Sequence, residues 1–173
     1  MAARLAAGTV PRSHQLATSV IDAWRFEPVS EADFEPLLAL RIDVMREHLA
    51  RVFRYSPERA RQYFREAFDE PGMRLIMIGD ERAGCVGFRA GETEFKMDSF
   101  YLARRHHNSG LGTAILKVLL AEADTLGLPV RLEVLHGSPV SRFYERHGFV
   151  KVQQDDIEAE YERPVCRPAA QDH

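Results

Sequence analysis

Two cysteines in 173 residues, Cys85 and Cys166, are too few for a disulfide framework, and neither belongs to a CxxC pair suited to a metal. A reducing compartment and no bound metal are the expectation. No apolar run approaches a membrane span, and the opening stretch from Leu5 stops at Pro11, short of a secretory core. The expected location is therefore the cytoplasm, with no membrane partner. Charge of one sign is scarce as well. A formal net charge of -3 and a pI near 6.2 give no general basis for binding nucleic acid. Linkers, repeats and low-complexity tracts are missing too. What is present, 45% hydrophobic and 28% charged residues, suits one globular domain. It is placed at residues 23–164, between an N-terminal extension, 1–22, and a tail, 165–173.

Periodicity sketches the elements. A short strand near Trp24 to Val29 leads to Ser30 and Asp33, a capping-box pair, and to a helix whose face is Phe34, Leu38, Ile42, Met45 and Leu49, with Pro36 weakening its first turns. Ser56 and Pro57 open a second helix near 57–68, anchored by Tyr63, Phe64 and Phe68, and Pro71 and Gly72 stop it. "MRLIMI" and "GCVGFRA" read as strands around the turn-rich "GDERAG", with a third strand near Phe95 to Leu102. The clearest helix follows, with Leu111, Ile115, Val118, Leu119 and Leu126 on one face and Gly127 and Pro129 as its stop. "VRLEVL" alternates as a strand, which makes a parallel βαβ unit. Ser138 and Pro139 start a last helix carrying Phe143 and Tyr144, and "FVKV" with "IEAEY" closes the chain as a hairpin.

The βαβ unit holds the chemistry. In "HHNSGLGTAI" the glycines Gly110 and Gly112 fall where a strand's carboxyl end meets a helix start, and unpaired N–H groups with the positive end of the helix dipole attract phosphate there. Ile115 stands where a Rossmann loop needs its third glycine, and no Gly-Lys-Ser/Thr follows, so neither dinucleotide nor P-loop binding fits. A short pyrophosphate clamp built from backbone remains.

The segment "FYLARRHHNSGLGTAILKVLL", with "RLEVL" and "SPVSRFYERHGF" after it, resembles the acetyl-CoA-binding core of the GNAT superfamily of acyltransferases. The resemblance is strong over residues 95–163; over 23–94 it lies in the order of elements. It implies an α/β fold with a mixed, mostly antiparallel sheet, a central parallel βαβ unit and helices on both faces. It implies acetyl-CoA as cosubstrate, with the pyrophosphate held by His107, Asn108, Ser109, Gly110, Leu111, Gly112 and Thr113, and with pantetheine pairing like an added strand along Phe100, Tyr101 and Leu102. His107 replaces the family's usual Gln or Arg; an imidazole still donates a hydrogen bond to phosphate. Ser138, where the family often has asparagine, is a helix cap, a pantetheine contact or both, and Arg142 is counted with the cofactor contacts.

For catalysis the resemblance makes Tyr144 the group at the leaving thiolate; the alternative reading of that residue is a core aromatic. Asp98 is the candidate general base, with Glu92, Glu94 and His106 as lesser candidates, and Cys85 reads as packing rather than as a nucleophile. The acceptor pocket falls to the first two helices, whose link carries six arginines from Arg46 to Arg65, read first as a solvated face. The expected activity is direct transfer of acetyl to a primary amine of a small molecule or protein, and a homodimer is compatible with it. A CoA-binding module without turnover and a toxin-like enzyme acting on aminoacyl-tRNA are the rivals.

Overall fold

The computed structural model describes residues 23–52 and 56–166, so the expectations for the extension 1–22, for Arg54 and for most of the tail lie outside the described residues. The elements follow one another as β1 (Trp24–Pro28), α1 (Glu31–Val52), α2 (Pro57–Asp69), β2 (Met73–Ile78), β3 (Glu81–Ala90), β4 (Phe95–Leu102), α3 (Leu111–Leu126), β5 (Val130–Leu135), α4 (Val140–Glu145), β6 (Val150–Gln154) and β7 (Glu158–Arg163). One seven-stranded sheet runs in the order β1-β2-β3-β4-β5-β7-β6. Its neighbours are antiparallel except β4 and β5, which run parallel. The mixed sheet with a central βαβ unit is thus as the sequence implied.

Each sheet face has its own core. Leu111, Ile115, Leu116, Leu119, Leu120 and Ala123 of α3 cover one face, together with Tyr144 and Phe149. On the other, α1 and α2 bring Phe34, Leu37, Leu38, Phe64 and Phe68 onto Met73, Leu75, Met77 and Cys85. Ser30 and Asp33 form the expected capping box, in which the Ser30 N–H donates to Asp33 Oδ2 at 2.8 Å; Asp33 Oδ1 also accepts from Arg82 Nε at 2.7 Å. Ser56 caps α2 as expected.

Several expectations change. Val118 and Leu126 are exposed, whereas Leu116 and Leu120 are buried, because α3 is apolar over so much of its surface that its sequence supports more than one stripe. Tyr63 is 62% exposed and lies beside Arg41 rather than in the core. The β2–β3 turn is only Gly79 and Asp80; Glu81 and Arg82 join β3, since each has a partner across the fold, His106 for Glu81 and Asp33 for Arg82. Pro139, not Ser138, caps α4, and Ser138 Oγ accepts from the Val140 N–H at 3.4 Å.

Candidate active site

The parallel strands β4 and β5 pair only at Phe95 with Val130 and Lys96 with Arg131. Beyond that point they part. Ser99 takes a positive φ of 50°, and the β3–β4 register shifts between Cys85 and Gly87, so β4 bends out of line with β5. A Cβ at Gly87 would lie 2.2 Å from Asp98 Oδ1, so a side chain there would displace Asp98. The bend leaves the end of β4, residues 98–102, without a ladder partner on the β5 side.

The chain then runs from β4 into α3. A 3₁₀ turn, Arg104–His106, brings Asn108 and Gly110 into positive φ of 55° and 83°, and Gly110 caps α3. Among the described residues the N–H groups of Asn108, Ser109, Gly110, Gly112 and Thr113 have no protein acceptor; the Leu111 N–H is 3.4 Å from Ser109 Oγ. These are the orphan donors of a helix start, clustered at one loop. Ser109 Oγ is tied to His106 O at 2.7 Å, which fixes the loop's shape. Gly112 has Phe143 and Leu102 side chains 3.6 and 3.7 Å from where a Cβ would stand. His107 is turned toward backbone, its Nε2–H donating to Leu102 O at 2.7 Å, so this ring nitrogen is spent on the loop rather than offered to a ligand. Arg142 is exposed on α4.

Tyr144, near Tyr101 of β4, is 7% exposed and packed edge-on against Phe143 and Phe149. Burial, then the nearby Tyr101, pushes its phenol well above the ordinary tyrosine value. Its hydroxyl has no protein partner among the described residues, yet it is not one of their sealed, unpartnered atoms, which are His48 Nε2, Arg89 Nη2 and Asp98 Oδ1.

The proposed bases are brought together differently from expectation. Asp98 is taken up by Arg89, whose Nη1 donates to Oδ2 at 2.6 Å. Glu94 pairs with Arg131 at 3.0 Å, Glu92 is exposed in a turn, and His106 is buried against Glu81 at 2.7 Å. Cys85 is fully buried, its thiol raised to about 12 by burial and then by Asp98, so it stays a protonated, packed thiol. Of the six arginines, Arg61 and Arg65 pair with Glu35, Glu31 and Asp69 on the outer surface.

Two residue groups escaped the sequence reading. On the α1/α2 side of the sheet, Glu133 of β5 and Glu158 of β7 stand diagonally across neighbouring strands and line a shallow recess of about 260 Å³ with Gln153, Gln154, Asp155 and Glu160. Burial, then the like charge of Glu133, holds the Glu158 carboxyl above the usual range. The second group is Arg41 with Tyr101 and Tyr63. Arg41 is 4% exposed, and its Nε donates to Tyr101 Oη at 3.2 Å. The larger hollow, about 330 Å³ over Phe34 beside Arg61 and Arg65, holds none of these residues.

The profile of the acetyltransferase (GNAT) family matches residues 42–149. Comparison with curated protein sequences finds no match. Among solved structures, the chain is similar to the PaiA N-acetyltransferase of Thermoplasma acidophilum in complex with coenzyme A, at 16% identity and a TM-score of 0.67, over 82% of this chain and 99% of that one. It is similar to an acetyltransferase of Thermus thermophilus at 20% identity and a TM-score of 0.65, over 83% and 97%. The ribosomal-protein-S18-alanine N-acetyltransferase of Escherichia coli aligns at 16% identity with a TM-score of 0.60, over 87% and 99%. At these identities the likeness is one of fold.

Proposed function

The chain belongs to the GNAT family of acetyltransferases, and from that premise we propose that it is an N-acetyltransferase, moving the acetyl group of acetyl-CoA directly to a primary amine. The observation that carries this reading is the set of N–H donors at Asn108, Ser109, Gly110, Gly112 and Thr113 with no acceptor among the described residues, in the loop that follows β4. Pyrophosphate accepts from that loop, and pantetheine lies as an added strand along Phe100, Tyr101 and Leu102, with Ser138 and Arg142 flanking it. The thioester then faces Tyr144.

The amine nitrogen attacks the thioester carbonyl carbon, the C–S bond breaks, and the amine's extra proton goes to a base. Glu133 and Glu158 serve as that base: they line the recess on the α1/α2 side of the sheet, and burial with the like charge of Glu133 raises Glu158. Transfer of a proton from a tyrosine near 10 to a thiolate near 8.5 is uphill by about 2 kcal/mol at reference values, and burial of Tyr144 raises that gap further. Tyr144 therefore acts by a hydrogen bond to the developing thiolate rather than by giving up its proton. The two free cysteines suit a reducing cytoplasm.

The rival reading, CoA binding without turnover, draws on His107 being engaged by Leu102 O. Free-thiol release from acetyl-CoA with a panel of small amines and N-terminal peptides decides between them. Amine-dependent release supports the transferase; tight CoA binding with no release above the protein-free rate overturns it.

A further inference from the structure

Arg41 is a buried cation with no acid partner among the described residues. The other well-buried guanidinium groups are answered: Arg89 by Asp98 at 2.6 Å and Arg163 by Asp124 at 2.6 Å. Arg41 is buried more deeply than either, yet no carboxylate among the described residues lies within 4.0 Å of it. Its described partners are neutral. Nε donates to Tyr101 Oη at 3.2 Å, Nη1 to Ala60 O at 3.4 Å, and the guanidinium carbon stands 5.2 Å from the Tyr63 ring centre and 5.8 Å from that of Tyr101. The rings offset part of the desolvation cost without neutralising the charge. Nη2 donates to no described group. Tyr63, 62% exposed, marks that side as open to solvent.

The surroundings say what fits. Arg41 lies on the α1/α2 face of the sheet, whereas the donor loop opens α3 on the opposite face, so the phosphates of CoA are met elsewhere. The Tyr63 ring stands by Arg41, whose Nε donates to Tyr101, and on the same face of the sheet Glu133 and Glu158 line the shallow recess, which puts one cation and two carboxylates on one side of the sheet. A planar guanidinium with free N–H groups matches a carboxylate, and the acidic recess matches an ammonium. Resting on the transferase reading above, the geometry points to a free amino acid as the acceptor: Arg41 and Tyr101 hold its carboxylate, while its amine faces Glu133 and Glu158.

The experiment measures thiol release from acetyl-CoA with free amino acids, the matching α-carboxamides and short N-terminal peptides, using wild type, Arg41→Gln, Arg41→Lys and Tyr101→Phe. Wild type is expected to take the acids with a KM roughly 10- to 100-fold below that of the amides, the range for a charge-assisted contact. Arg41→Gln brings the acid-to-amide KM ratio to about one; Arg41→Lys recovers part of the gap. Circular dichroism melts check folding, and if Arg41→Gln fails to fold, Tyr101→Phe and the wild-type acid-to-amide ratio still decide. Equal KM values for acid and amide, a preference for peptides, or acetyl-CoA binding without acetylation of any amino acid overturns the inference and leaves cofactor binding standing. Absence of acetyl-CoA binding by calorimetry overturns the transferase reading and this one with it.

Discussion

The two ends of the β4–β5 gap are built by different means. At the cosubstrate end the donors are backbone N–H groups from one contiguous loop, shaped by the positive φ of Asn108 and Gly110. At the acceptor end the groups are side chains gathered from α1, α2, β4, β5 and β7, and their properties come from one another: Tyr101 holds Arg41, and Glu133 raises Glu158. A cradle built from backbone depends little on which side chains its loop carries. A side-chain constellation changes its ligand with one substitution. The same scaffold can therefore keep one cosubstrate while its acceptor varies.

If the halves are separable, acceptor-side variants should lose turnover and keep acetyl-CoA affinity. The double variant Glu133→Gln/Glu158→Gln is expected to lose about 10³-fold in kcat with an unchanged calorimetric Kd for acetyl-CoA. Tyr144→Phe, placed where the halves meet, should lose about 10²-fold in kcat. The pH profile sharpens the comparison. Glu158 holds its proton to a higher pH than an ordinary carboxyl, so the rate rises through an acidic limb above the usual 4.5; Glu133→Gln removes the like charge and moves that limb to lower pH. A limb that stays in place would mean the pair is not the base.

Smaller effects concern stability. Asp33 is held below the ordinary carboxylate range; burial opposes this, but Arg82 and Ser30 outweigh it. Its contribution is present above the unfolded value, about pH 4, and is lost as pH falls through the lower folded value. Asp33→Asn should cost about 1 kcal/mol at pH 7 in urea melts and less near pH 3. Cys85→Ser should leave kcat within about twofold, because the buried thiol forms no bond to substrate; a large loss would reopen a covalent route.

The loop that opens α3 was legible because its signal is local: strand, polar loop, two glycines, helix, strand. Strand breaks and capping residues fixed the element order for the same reason. The acceptor end was not. Arg41 occupies an apolar-face position of α1, in line with Phe34, Leu37 and Leu38, and a lone charge at such a position was the available signal. Glu133 and Glu158 sit at alternating polar positions, which in a strand read as solvent-facing. Only the structure shows that α1 and α2 stop short of β5 and β7, so that this polar face borders a cleft. Asp98 illustrates the converse. Its place before the loop is as expected, but Arg89, nine residues earlier in the chain, takes its carboxylate.

The most direct test is calorimetric titration of acetyl-CoA into the wild type and into Gly112→Trp, whose ring would have to displace Phe143 and Leu102 and fill the cradle. Saturable binding to the wild type, abolished in a variant that still melts cooperatively, is the predicted result. A well-folded wild type that binds no acetyl-CoA would contradict the account.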